Sequence, residues 1–180
     1  MKKIMGAGVA LWAGMAATVA QAADAKPCLT EAEAQSVFLV LAPDTIRAVA
    51  TKCAPSLTET ATLRNGLAAF VAPYDAAAAT AWPQALPVVG KLAGPDMKGL
   101  DPAALKPMIG PMVGAMASEK LKPSDCTTIE RAVSLVAPLP PANVAGLAAL
   151  AAASETKGGK GPFSICPAVA AIAPTPPAPK

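Results

Sequence analysis

Histidine is absent from all 180 residues of the chain. This absence removes the usual general base near neutral pH and the commonest metal ligand in proteins. Serine, cysteine and zinc hydrolase sites that need histidine are therefore excluded. An enzyme would have to use carboxylates or hydroxyls alone, and the acidic residues stand mostly where helix caps are expected. We expect no catalytic residue, no metal site and no cofactor.

Aromatic and charged residues are also scarce, at 3% and 15% of the chain. The net charge is +3, and it approaches neutrality once Lys2 and Lys3 leave with a signal peptide. A basic patch with interleaved aromatic residues is missing, so nucleic-acid binding has no electrostatic support. Alanine-rich helices with few aromatic residues bury little apolar area each, so we expect stability to depend on disulfides.

The sequence also has few patterns typical of β-strands, because apolar and polar residues rarely alternate and β-branched residues are few. Apolar residues recur instead at helical spacing, in short runs separated by many of the 20 prolines. Proline removes a backbone donor and ends or kinks a helix. The sequence therefore predicts an all-α fold of short, proline-punctuated helices.

The amino end has the pattern of a signal peptide: two lysines, an apolar run, and Ala20-Gln21-Ala22 as the peptidase site. We therefore expect residues 1–22 to be removed and the protein to be periplasmic or secreted. Residues 23–166 are expected to form a single all-α domain. The Pro/Ala-rich residues 167–180 are expected to be a flexible, polyproline-like tail.

All four cysteines follow the predicted cleavage site: Cys28, Cys53, Cys126 and Cys166. An even number of cysteines in an oxidising compartment predicts two disulfides. Three pairings are possible, and we expect the local one, Cys28 with Cys53 and Cys126 with Cys166.

The first expected disulfide rests on a predicted helical hairpin. Thr30 and Glu33 form a capping box, and the apolar periodicity that follows predicts a helix over 30–42 that Pro43 ends. Asp44 is placed to cap a second helix that runs to about residue 53. A turn at Pro43 would bring the two ends of this hairpin, and so its cysteines, together.

The same pattern returns near the carboxyl end. Thr127 and Glu130 form a second capping box before a helix to Val136, and prolines break the chain before a helix over about 142–153. Residues 132–153 are apolar enough for a membrane span, but prolines near the middle argue against one. We therefore expect no integral membrane span after signal removal, and two disulfide-closed hairpins around a middle helical segment.

That middle segment holds a methionine stripe, Met108, Met112 and Met116, at i, i+4 and i+8. Such a stripe is typical of adaptable core, and it also suits an apolar groove for a ligand or partner. Three thioethers are soft ligands for Cu(I), which is the least favoured interpretation. Gly110 and Gly114 would let another helix approach this region closely.

These patterns predict a small exported helical binding or interaction protein without catalysis. Its partner is either an unknown protein or an apolar small molecule. One alternative is a periplasmic carrier of an apolar small molecule or lipid, with the methionine stripe in its site. Others are a structural or stress-related envelope protein and an enzyme that uses acids or hydroxyls alone.

Overall fold

The computed structural model describes residues 27–93, 101–156 and 163–166. Helices account for most of these residues, so the all-α prediction is confirmed. The predicted signal peptide, 1–22, and the whole of the predicted tail, 167–180, fall outside the described residues. The α-helices are α1 Glu31–Cys53, α2 Leu67–Ala93, α3 Pro102–Glu119, α4 Cys126–Val136 and α5 Pro141–Thr156.

Short elements join and flank these helices. A π-helical turn, Thr62–Gly66, leads into α2, and single 3₁₀ turns follow α1 and precede α4. The strands β1 Cys28–Leu29 and β2 Ser164–Ile165 pair in parallel, with Cys28 opposite Ser164. This bridge joins the start of the described chain to its last described segment.

The helix α1 begins at the predicted capping box and runs through the predicted break. Glu33 N–H donates to Thr30 Oγ1 at 3.2 Å, and Thr30 N–H donates to Glu33 Oε2 at 2.7 Å. The expected turn at Pro43 is wrong, because Pro43 lies buried inside the helix. One proline removes a single helical hydrogen bond, and the packing of α1 against three other helices outweighs that loss.

The helix α2 is also continuous, so the breaks expected at its prolines are wrong. Pro73, Pro83 and Pro87 all lie inside it on the exposed side. The carbonyls that lose their hydrogen bonds belong to the residues four positions earlier, which are also exposed, so water can reach them. The opposite face is buried at alternating steps of three and four residues: Val71, Tyr74, Ala78, Ala81, Ala85 and Val88.

The helix α1 is the centre of the molecule and packs against α2, α3 and α5. Two ion pairs show that α1 and α2 are antiparallel neighbours. Arg47 Nη2 lies 2.7 Å from Asp75 Oδ2 towards one end, and Lys91 Nζ lies 3.2 Å from Glu33 Oε2 at the other. Residues near the amino end of α1 therefore face residues near the carboxyl end of α2.

The helix α3 approaches α1 through two buried glycines, Gly110 and Gly114. A Cβ built on Gly114 would lie 2.8 Å from the Asp44 carbonyl oxygen and 3.1 Å from Ala48 Cβ. A Cβ built on Gly110 would overlap the Asp44 carboxylate. The close approach expected from these glycines is therefore present, and the helix that approaches is α1.

Both cysteine pairs differ from the expected ones. The structure joins Cys28 to Cys166 and Cys53 to Cys126, with Cα–Cα distances of 4.9 and 5.3 Å. The prediction of two disulfides is confirmed, but the local pairing, and with it the two disulfide-closed hairpins, is wrong. A continuous α1 holds its two ends about 34 Å apart, far beyond the reach of one disulfide.

The Cys53–Cys126 disulfide lies in one of two buried apolar clusters. It packs with Ala50, Leu57 and Leu63, beside partly buried side chains of α4. The second cluster lies at the other end of α1 and contains Leu29, Ala34, Val88 and Ala149. The two disulfides therefore fasten opposite ends of the central helix.

The role expected for Glu130 is also wrong. Its carboxylate accepts the backbone N–H groups of Thr62 at 2.6 Å and Leu63 at 3.0 Å, whereas α4 begins earlier, at Cys126. Backbone N–H groups at the start of a helix lack partners within the helix, so a carboxylate is favourable there. Glu130 thus caps the helical run that leads into α2.

The predicted break between the last two helices is confirmed. The helix α4 ends at Val136 and α5 begins at Pro141, with a turn between them. Among the helices of the described ranges, none combines the length and apolar character that crossing a membrane requires.

Candidate functional site

An apolar cavity of about 410 Å³ lies where all five helices meet. We call it the main cavity. The helices α1 and α2 supply its aromatic and branched walls, α3 supplies one edge, and α4 and α5 supply small and branched side chains opposite. Its lining residues are Phe38, Leu41, Ala42, Thr45, Ile46, Phe70, Tyr74, Val113, Ala117, Val133, Val136, Pro141, Val144, Ala145 and Ala148.

The main cavity contains little polarity. Among the described residues that line it, none is charged, and only Thr45 and Tyr74 carry a polar side-chain group. Burial raises the pKa of the Tyr74 phenol above its ordinary value of 10.0, so the phenol stays protonated at neutral pH. The ring of Phe70 lies tilted against that of Tyr74, with 5.4 Å between centroids.

A second apolar cavity, of about 240 Å³, lies between α1, α2 and α3. We call it the side cavity. Leu41 and Val113 line both cavities, so these two side chains stand at the boundary between them. The other lining residues of the side cavity are Val37, Val40, Ala85, Val89, Leu92, Ile109 and Met112.

The predicted methionine site is only partly brought to these cavities. Met112 lines the side cavity, while the residue as a whole remains 59% exposed. Met108 and Met116 are 67% and 64% exposed and line neither cavity. The interpretation of the stripe as core is therefore wrong. It forms an exposed apolar face on α3.

A more polar cleft lies beside α1 and α2, and the arginines among its described lining residues, Arg47 and Arg64, both have partners. Arg47 Nη2 donates to both oxygens of Asp75, at 2.9 and 2.7 Å. Arg64 donates to the carbonyl of Leu57 at 2.7 Å and lies 3.7 Å from Glu59. Across the described ranges, no group of three or more cysteines and acidic residues could hold a metal ion.

The sequence gives little warning of the main cavity. In the sequence, Phe70 belongs to an apolar run at helical spacing that Pro73 is expected to end, and Tyr74 lies just beyond that proline. The lining comes from all five helices, among them the aromatic pair of α2 and the alanines Ala145 and Ala148 of α5, so no single segment carries a signal for the cavity.

Comparisons with protein-family models, with curated proteins and with solved structures found no match to this chain. A functional assignment therefore rests on the geometry. Two disulfides are consistent with an exported, stabilised small protein in an oxidising compartment.

Proposed function

We propose that this protein is an exported, non-catalytic carrier of an apolar small molecule, bound in the main cavity. The observation that carries the proposal is the size and chemistry of that cavity. Its volume of about 410 Å³ falls in the range of small-molecule sites, about 300–1,000 Å³. Such sites are mostly apolar with a few polar groups, as here.

The main cavity is open to solvent, and most of the residues that line it are only partly buried. A gap this large, lined by side chains that gain nothing from water, supports a ligand that buries its own apolar surface there. The gain is about 25 cal/mol for each Å² of apolar surface removed from water.

The non-catalytic part of the proposal is supported by the absence of histidine from the whole chain. The described lining of the main cavity also contains no acid, amine or thiol, only the hydroxyls of Thr45 and Tyr74. A protonated phenol and a threonine hydroxyl suit orientation of a ligand by hydrogen bonding.

The exported part is supported by the signal-peptide pattern of residues 1–22 together with the disulfides. Disulfides persist in the bacterial periplasm and outside cells, and are rare in the cytosol. We propose that the mature chain begins at Ala23 and works in the periplasm or after secretion.

The proposal is tested by titrating the oxidised protein with N-phenyl-1-naphthylamine, an uncharged fluorophore that brightens in apolar sites. We expect saturable binding by the wild type. Ala148→Phe places a ring in the main cavity and should weaken binding about tenfold or more. Ala151→Phe is the matched control, because Ala151 lies on the exposed side of the same helix.

Two results would overturn the carrier proposal. One is a wild type that does not bind the fluorophore. The other is equal binding by the wild type and both variants, since the fluorophore would then occupy a surface other than the main cavity. Circular dichroism checks that each variant retains its helices.

The methionine face of α3 favours a second candidate, an interaction protein that contacts a partner through Met108, Met112 and Met116. Methionines are common at adaptable binding surfaces, and these three are more than half exposed. Replacing Met108 and Met116 by glutamate should abolish the binding of a partner in a pull-down experiment and leave fluorophore binding unchanged. Loss of fluorophore binding instead would assign the face to the carrier site.

A further inference from the structure

We propose that the ligand is one unbranched hydrocarbon chain, which lies along α1 through both cavities with an uncharged polar end at Thr45 and Tyr74. This inference rests on the proposed carrier function and names its ligand class. Three observations carry it: the relation between the cavities, their combined length along α1 and α2, and the position of the two hydroxyls among their described lining residues.

The cavities are neighbours under α3. They share Leu41 on α1 and Val113 on α3, both partly exposed and neither held in a buried cluster. The glycine contact of α3 with α1 is made against Asp44 and Ala48. Leu41 and Val113 stand at the boundary between the cavities, and the proposed chain passes this boundary, which we call the neck.

The combined lining is extended. On α1 it runs from Val37 to Ile46, which is about 13 Å along the helix axis, and on α2 Tyr74 and Leu92 lie about 27 Å apart. A rigid ring system would fill one cavity and stop at the neck. A flexible chain can pass between two side chains and remove apolar surface from water on both sides.

The hydroxyls lie at one end of this path. Because α1 and α2 are antiparallel, Thr45 and Tyr74 lie on the same side of the neck, away from Val89 and Leu92 of the side cavity. The polar end of the ligand therefore belongs in the main cavity and its tail in the side cavity.

The charges argue for an uncharged polar end. None of the described residues that line either cavity is charged. Arg47, on the turn after Thr45, already has its guanidinium bound by Asp75 and within 3.6 Å of Asp44. An unpaired carboxylate or phosphate buried beside the two hydroxyls would lack a cation.

The experiment compares 1-octanol with 1-hexadecanol as competitors of N-phenyl-1-naphthylamine. The wild type should bind the longer alcohol at least about tenfold more tightly, since roughly two buried methylenes give a factor of ten. Val89→Trp fills the side cavity and should weaken hexadecanol about tenfold while octanol stays within about twofold. Gln84→Trp, exposed on the same helix, should change neither.

A second variant keeps the test decisive if Val89→Trp disturbs folding. Val40→Phe fills the side cavity from α1 and should give the same selective loss of the longer alcohol. The combined change Thr45→Val and Tyr74→Phe should weaken both alcohols about tenfold, because two hydrogen bonds to the alcohol are lost.

Equal binding of both alcohols by the wild type, or equal loss of both in Val89→Trp and Val40→Phe, would overturn the single-chain inference. The fluorophore would then still bind and still respond to Ala148→Phe, so the carrier proposal would stand. If the fluorophore does not bind at all, the carrier proposal itself fails.

Discussion

Glu130 joins two parts of the chain that are distant in sequence. Its carboxylate on α4 accepts the N–H of Thr62, 68 residues earlier, and the N–H of Leu63. Leu63 and Cys126 belong to the same buried cluster. One side chain thus aligns the entry to α2 with α4, beside the disulfide that covalently ties α4 to α1.

We predict that Glu130→Ala lowers the free energy of unfolding by about 2 kcal/mol, because two backbone donors lose a charged acceptor. Urea denaturation measures the change. Glu119→Ala, at an exposed position on α3, is the control and should change stability by less than about 0.5 kcal/mol. Equal effects of the two substitutions would contradict this role for Glu130.

Glu33 makes the stability of the fold depend on pH in the acidic range. The N–H of Thr30, and to a smaller degree Lys91, hold the pKa of the Glu33 carboxyl below 4.5. The folded state therefore binds this proton more weakly than the unfolded state. The contribution to stability is present above about pH 4.5 and is lost as the pH falls through the lower folded pKa.

The variant Glu33→Gln keeps a side-chain oxygen but has no charge to lose. We predict that it is less stable than the wild type near pH 7, and that the difference shrinks towards about pH 3. Urea midpoints at both pH values measure this. A difference that stays constant across the range would show that the Glu33 charge contributes nothing.

The packing of α3 against α1 depends on a close approach of the two helices at Gly110 and Gly114. Gly114 faces the Asp44 backbone, which cannot rotate away, whereas Gly110 faces the Asp44 side chain, which can. Gly90 on α2 has no atom within 4 Å of a built Cβ. The same substitution should therefore have three different outcomes.

We predict that Gly114→Ala destabilises the protein by about 2 kcal/mol. Gly110→Ala should cost less, and Gly90→Ala should stabilise by up to about 1 kcal/mol through helix propensity. Thermal unfolding followed by circular dichroism ranks the three. If Gly114→Ala is as stable as the wild type, α3 is not seated on α1 as described.

The helices also show what local patterns can and cannot predict. The capping box at Thr30 and the stop at Val136 depend on adjacent residues, and both were predictable. The passage of α1 through Pro43 and of α2 through three prolines depends on packing along buried faces, which proline counting ignores. The partner of Glu130 could not be predicted, because a capping box and a long-range cap have the same local sequence.

At the scale of the whole molecule, the nested disulfides enclose the bundle. Cys28–Cys166 closes a sequence separation of 138 residues and Cys53–Cys126 one of 73. By loop-closure entropy alone, the disulfide that closes the longer loop should stabilise the fold by about 0.6 kcal/mol more than the other. The difference is small because this entropy grows slowly with loop length. Burial should make the Cys53–Cys126 disulfide the larger contributor to stability, since Cys53 and Cys126 are almost fully buried and Cys28 and Cys166 are not.

We predict that burial, and not loop length, decides which disulfide contributes more to the free energy of unfolding. Cys53→Ala with Cys126→Ala should lower the free energy of unfolding more than Cys28→Ala with Cys166→Ala, because it also leaves a cavity in the core. Denaturation of the two double variants measures the difference. The opposite order would show that loop closure governs the contribution of each disulfide.

The same scale explains why the main cavity escaped prediction. The methionine stripe is a local pattern, and it led to an exposed face. The main cavity needs residues from all five helices, from Phe38 to Ala148, and its shape follows from the glycine contact of α3 and the antiparallel pairing of α1 with α2. These relations are tertiary and have no signature within any one segment.

We propose that the bundle carries an apolar ligand in its main cavity. Native mass spectrometry of the protein exported by a bacterial host tests it most directly. We predict a chain that begins at Ala23, carries two disulfides and retains one bound apolar molecule, which is lost on denaturation. A protein that is bare under native conditions, and remains bare after incubation with 1-hexadecanol, would contradict the claim.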